Sequence, residues 1–414
     1  MPIASGLYTQ VGFKAEGAFA TAPGQSGGQL LRRVQCTLDL EKDTYESNEV
    51  RPDMQVADFR HGPRRVSGKL DGELSAGTYA PFFAAALKRD FTAVSALTGL
   101  SLTIQYSGGV WQVNRSAGDF IAAGIKHGMV VQISGPGLSI ANLSKNLLVY
   151  TVTTNSLYVI PLNGVSLVAE GPVTSLTLTV IGKRTYVPQT GHLDRSFGFE
   201  RWYADIAQSE LYLGVKPTKL SIGLPATGLC SFSMDMLGQD MADTAADRGG
   251  VAMTTQYFTS PGALTTSTAL AAVNGVLYAG GAGGAVANIT GMSLDIACPY
   301  SGGPVVASNV SPALFASPVI VTGQVTAYFD SVALRDAFIN ETEVELYAAF
   351  TSSSAPNADF IAFGLSRVKL GGASKSDGGS GGIVQTLPYR ALMYAYTNAA
   401  AIERTTMVIQ DSQA

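Results

Sequence analysis

The stretch "KLSIGLPATGLCSFSMDM", Lys219 to Met236, alternates almost without a break. Leu220, Ile222 and Leu224 are separated by polar or small residues, Pro225-Ala226-Thr227-Gly228 carries turn chemistry, and Cys230, Phe232, Met234 and Met236 resume the alternation. Successive strand side chains point to opposite faces, so this pattern predicts an antiparallel hairpin with one apolar face.

The same period returns on either side. Val66, Gly68, Leu70, Gly72 and Leu74 alternate with Arg65, Ser67, Lys69, Asp71 and Glu73. Val344, Leu346, Ala348 and Phe350 alternate with Glu343, Glu345 and Tyr347. Each strand is expected to bury one face and wet the other.

Composition agrees with a mainly β chain. Of 414 residues only 14% are charged, while 46% are hydrophobic and 46 residues are glycine, a balance poor in solvated helix surface and rich in strands and turns. The length allows two or three domains, or one large β domain with an insertion. A net charge of −4 argues against a protein that grips nucleic acid through clustered Lys and Arg, though not against one that lets DNA slide past. No run of about 18 apolar residues occurs, and the N-terminus lacks a basic segment followed by an apolar one, so neither a helical anchor nor a cleaved leader is expected. Cys36, Cys230 and Cys298 are odd in number and far apart, and read as small buried apolar residues.

Two stretches read as helices. Thr78–Arg89 has Ala-rich composition, Pro81 in its first turn and two basic residues at its end. Ser331–Asn340 follows Asp330 and Ser331 as candidate caps and puts Leu334, Ala337 and Phe338 on one side.

Between Phe91 and Val180 the charge nearly vanishes, leaving only Arg115, Asp119, Lys126, Lys145 and Glu170. Short β-rich runs there (SLTIQY, MVVQIS, LLVYTVTT, SLYVIPL) are separated by Gly, Asn and Ser turns, which suits a small barrel or sandwich inserted through adjacent ends. The expected division is therefore 1–91, an inserted small β domain at 92–184, and 185–414. Two low-complexity stretches, Ala279–Ala287 and Gly371–Gly382, read as loops.

Chemistry has few candidates. HExxH and CxxC patterns are missing, and AGGAGGAVA lacks the Lys-Ser/Thr ending of a phosphate loop. His127, at a turn before a strand, reads as solvent-facing. No cofactor or metal is expected. The most charged stretch is "SNEVRPDMQVADFRHGPRRVSGKLDGELS", Ser47–Ser75, where Asp58 and His61 could form a carboxylate–imidazole pair. The same Arg and Asp residues equally suit salt bridges between subunits, and spacing alone does not rank the two.

The run "YESNEVRPDMQVADFRHGPRRVSGKLDGELSAGTYAPFFAAALKRDF" resembles the N-terminal signature of major tail tube proteins from long, flexible-tailed bacteriophages. "RSFGFERWYADIAQSELYLGVKPTKLSIGLPATGLCSFSMDMLGQDM" and "VTGQVTAYFDSVALRDAFINETEVEL" are similar to that family's second and third blocks, and "AGDFIAAGIKHGMVVQISG" resembles a small β domain often inserted in it.

The resemblance implies a β-sandwich or barrel fold with one or two helices, in hexameric rings stacked into a tube with a continuous inner β-barrel. It implies a virion tail component assembled in the bacterial cytoplasm. Its partners would be copies of itself, a tape measure protein, a tail terminator and distal tail proteins, with genome DNA passing unbound and no membrane involved. Ser47–Ser75 would be an arm between strands Leu38–Tyr45 and Val66–Leu74, using Arg51, Asp53, Asp58, Arg60, His61 and Arg64 at subunit contacts. Lys69, Asp71 and Glu73 would face the lumen, where a negative balance would repel phosphates; six copies of a −4 chain carry −24. Alternatives are a tail terminator, the tube of a phage-like particle, a β-rich binding module, or an enzyme centred on Asp58 and His61. A transmembrane β-barrel is disfavoured by the helix at Thr78–Arg89 and by only 9% aromatics.

Overall fold

The computed structural model describes residues 3–263, 266–281, 289–329, 332–376, 379, 381–395 and 400–414. The elements that matter are β1 (Thr9–Ala15), β2 (Asp39–Glu46), β3 (Phe59–Glu73) and α1 (Ala80–Ala86), followed by six barrel strands between Leu97 and Val180. Then come β4 (Lys183–Tyr186), β5 (Phe197–Tyr203), β6 (Gln208–Pro225), β7 (Ser231–Gly238), β8 (Gly275–Gly281), β9 (Ile289–Ala297) and β10 (Ile320–Tyr328). The chain closes with α2 (Ala333–Ile339), β11 (Val344–Thr351), β12 (Phe360–Leu370), β13 (Ser374–Ser376), β14 (Val384–Ala391) and β15 (Val408–Asp411).

The Lys219–Met236 alternation becomes the β6–β7 hairpin, with Leu220 opposite Met234 and Ile222 opposite Phe232. Those side chains are buried, as are Leu70 and Leu74 on β3. From this hairpin the antiparallel order extends as β3–β7–β6–β9–β10–β14. β6 is long enough to serve two layers: its first half pairs with β5, which pairs with β1, and its second half joins the six-stranded array.

Helix α1 fills the space between the layers. The Phe82 ring lies 4.9 Å from Phe13 and 5.2 Å from Phe197, while Phe83 lies 5.6 Å from Phe232 and 6.3 Å from Phe363. One short helix thus presents aromatic rings to both sheets. It is shorter than the predicted Thr78–Arg89 because Lys88 takes a left-handed φ of +60°, which ends the turn and sends its ammonium to Asp194 at 3.5 Å. Helix α2 matches the second prediction in position. Ala337 is buried and Phe338 exposed, so the expected apolar side is only partly used; Asp330 and Ser331 lie outside the described residues.

The low-charge segment closes into a six-stranded barrel in the order Ser156–Pro161, Val110–Arg115, Leu97–Ser107, Glu170–Val180, Val130–Ser134, Leu147–Val152. Leu102, Ile104, Val113, Ile133, Val149 and Leu157 fill its interior. Its ends are adjacent, since Thr92 and Arg184 exchange backbone hydrogen bonds of 2.8 and 2.9 Å.

Contrary to the expected wet face on β11, Tyr347 and Ala349 are buried, because the barrel sits on them through Val130, Leu148 and Leu162. His127 is likewise tucked into this junction, its Nδ1 3.9 Å from a Glu345 oxygen, and is not solvent-facing. Ser374–Ser376, expected in a loop, pairs with β14, and Ala279–Gly281 pairs with β11; residues 282–288 lie outside the described ones. Alternation names the residues that can be buried and leaves open what covers them.

Gln410 is the polar pin of the junction. Its Oε1 accepts from the Val130 N–H at 2.9 Å, and its Nε2 donates to the Val130 and Ile181 carbonyls at 2.9 and 2.7 Å, so one buried side chain stands in for a missing strand pairing. Gln410→Ala takes the side-chain partner from the Val130 N–H and the Ile181 carbonyl, while the Val130 carbonyl keeps the Ile181 N–H at 3.2 Å, and is expected to cost about 2–4 kcal/mol in urea unfolding.

Asp411 beside it accepts from the Gly77 N–H at 2.9 and 3.1 Å and from Gln413 at 2.8 Å. Burial pushes its carboxyl up from 3.8 to about 6. The folded-state value lies above the unfolded one, so the stability that protonation contributes is complete below about pH 3.8 and is lost as pH rises through about 6. Stability measured against Asp411→Asn should therefore fall by about 2 kcal/mol between pH 4 and 7.

Candidate assembly surfaces

β2 and the first half of β3 form a two-stranded ribbon. The register runs from Asp39 opposite Ser67 to Glu46 opposite Phe59, and the Ser47 N–H donates to the Asp58 carbonyl at 3.0 Å, leaving residues 48–57 as the tip. The strand expected to start at Val66 thus starts at Phe59. Its extra residues lack alternation because neither face of the ribbon meets the core.

The predicted arm residues spread along this ribbon. Arg51 pairs with Asp53 at 2.8 Å within the tip, and Arg60 with Asp58 at 2.6 Å just beyond it. Arg51 holds the Asp53 carboxyl, and Arg60 that of Asp58, below the ordinary range. Exposed pairs of this kind contribute little to stability. Asp58 is therefore committed to Arg60, while His61 meets the Phe59 ring edge-on at 5.4 Å, so the two do not form a carboxylate–imidazole pair. Arg64 sits at the base: its guanidinium grips Asp240 at 2.7 Å and Asp243 at 3.1 Å, and its N–H donates to the Asn309 carbonyl at 2.7 Å. Burial pulls that guanidinium down, but the two carboxylates together hold it above its ordinary value.

What charge-based reading passed over is the apolar content of the tip. Tyr45, Val56 and Phe59 are exposed, and Val50 and Met54 are fully so at 101% and 96%. The signal lay in sequence as hydrophobic residues in a charged, non-alternating stretch, the signature of a segment that is buried by something other than its own core.

A second surface is the wet face of the six-stranded array. Lys69 faces Asp235, Asp71 faces Ser233 and Glu73 faces Ser231 across β3 and β7, and the rows continue through Lys219, Ser221, Asp295, Thr322 and Arg390. Lys69 and Asp71 pair at 3.1 Å, and Lys219 and Asp295 at 3.2 Å. Three cations (Lys69, Lys219, Arg390) thus stand among four carboxylates (Asp71, Glu73, Asp235, Asp295), spaced by serines and threonines.

Among the described residues no group of three or more His, Cys, Asp and Glu is arranged to hold a metal, and no helix is long and apolar enough to cross a membrane. All three cysteines are free; Cys230 and Cys298 are buried as expected, their thiols pushed up to about 12 by burial, whereas Cys36 is half-buried. The described residues thus present a long β array with one polar face and an apolar-tipped ribbon. The sequence profile of the phage tail tube proteins matches residues 6–391.

The chain belongs to the phage tail tube protein family. It is a structural protein of the virion tail that forms the tail tube, and it is not an enzyme, so the reading centred on Asp58 and His61 falls away. Comparison with curated proteins gave no match. The family match runs through the barrel segment as well as the sheets on either side of it.

Proposed function

We propose that this tail tube protein assembles as six-fold rings stacked into the hollow tube of a long, flexible-tailed phage, and that genome DNA passes through the bore without specific binding. The observation that carries this reading is the wet face of β3–β7–β6–β9–β10–β14: small polar residues with mixed charges and one more carboxylate than cation. Joined edge to edge around a ring, such arrays would remove their open strand edges. The bore would then offer phosphates no patch of cations to release counterions from.

On this reading Lys69, Asp71 and Glu73 face the lumen, and the ribbon carrying Arg51, Asp53, Asp58, Arg60 and His61 reaches a neighbouring subunit, with Arg64 anchoring its base. The barrel at 92–184 decorates the outside, dividing the tube unit into 1–91 and 185–414. A barrel in the bore would obstruct DNA. Tape measure, terminator and distal tail proteins are the partners such a tube requires.

A cryo-electron-microscopy reconstruction of the assembled tube tests the orientation. Lys69, Asp71 and Glu73 lining the bore with the barrel outside is the expected result; those residues outside, or a bore lined by cations, overturns it.

A further inference from the structure

The ribbon carries two sets of groups that cannot satisfy each other within one chain. Near its base, Lys42, His61, Gly62 and Arg64 line a cavity of about 460 Å³ together with Ser308 and Asn309 of the facing loop. Arg64 is already occupied by Asp240 and Asp243, whereas Lys42 and His61 form no ion pair among the described residues. Val305 and Val306 immediately precede the lining residue Ala307, and Val306 is 101% exposed.

At the tip the inventory is the complement. Asp53 and Asp58 are neutralised by Arg51 and Arg60, but Glu46 and Glu49 form no ion pair among the described residues, and they precede the exposed Val50 and Met54. Glu46 lies four residue steps along the strand from Lys42, about 13 Å, so a stiff ribbon cannot fold its own tip onto its base.

We propose that the cavity is a socket for the ribbon tip of a second copy, taking Glu46 and Glu49 onto Lys42 and His61 while Val50 and Met54 pack on Val305 and Val306. This rests on the tube reading above and deepens it by naming both halves of one contact. Tip and socket are different patches of the same chain, so the contact is heterologous, and repeating it generates a ring or a stack instead of a closed two-fold dimer. Docking excludes water from the pairs and strengthens them, and repetition around a ring multiplies a modest single contact.

The test has two parts. Equal amounts of isotopically light and heavy chain, at assembling concentration, are treated with a zero-length carbodiimide, which joins an ammonium to a carboxylate with loss of water. Mixed light–heavy peptides linking Lys42 to Glu46 or Glu49 are expected. In parallel, Lys42→Glu should raise the concentration needed for assembly at least about tenfold, as should the double variant E46K/E49K, and combining all three changes should restore it. All three positions are exposed, and thermal unfolding of each variant serves as the control for folding. Tubes without the mixed cross-link, or Lys42→Glu assembling like the parent, overturn the socket and leave the tube reading standing. A mixed cross-link without rings or tubes keeps the socket and removes the tube reading.

Discussion

Replacing Ser47–Asp58 with an Asn-Gly turn is expected to abolish tube formation while leaving the subunit folded. Glu46 and Phe59 are opposite one another, so a two-residue turn closes the ribbon in its existing register. Nearly every residue removed is exposed, and the two ion pairs lost are surface pairs, so the unfolding midpoint should move by no more than about 0.5 kcal/mol. Assembly should instead fall to nothing by light scattering, because the apolar tip leaves with the loop. Undiminished tubes from this variant would make the ribbon an ornament.

The largest stability effect is expected at Arg248, a fully buried side chain. Glu200 is buried and accepts from Ser209 Oγ at 2.6 Å, from the Phe258 N–H at 2.9 Å and from the Tyr257 N–H. Arg248, fully buried, donates to the Ser209 carbonyl at 2.8 Å and to its Oγ at 2.6 Å, over the Tyr257 ring. Burial pulls this guanidinium below its ordinary range, and Glu200 works against that pull. Arg248→Ala removes the countercharge of a buried carboxylate and should cost about 3–5 kcal/mol in urea unfolding. The pair R248M/E200Q should recover part of the loss, since it removes both charges together.

How far the sequence could be read followed from what each segment packs against. The β6–β7 hairpin and the second half of β3 were legible because one face meets the α1 core and the other meets water, which writes period two directly into the residues. β11 misled because its second face is covered by a barrel some two hundred residues earlier in the chain, and a buried Tyr347 reads like an exposed one. The extension of β3 back to Phe59 was illegible because a ribbon outside the core has no apolar face to display. Charge near Asp58 and His61 suggested chemistry, but with each Asp of the tip taken by the Arg two positions away, what remains for a partner is the apolar tip and two carboxylates.

These links connect stability and assembly to different parts of the molecule. Gln410, Asp411 and the Glu200–Arg248 network hold the layers and the barrel in one body. The ribbon and the wet face contribute little to that body and are free to serve neighbours. A subunit that is folded before it polymerises, with assembly governed by concentration, is therefore the expectation.

Negative-stain electron microscopy of the purified full chain across a concentration series, with light-scattering mass measured on the same samples, tests the central claim most directly. Hollow rings with six-fold symmetry that stack into tubes as concentration rises are the predicted result. A compact monomer persisting at the highest concentration, or rings of another symmetry, would contradict it.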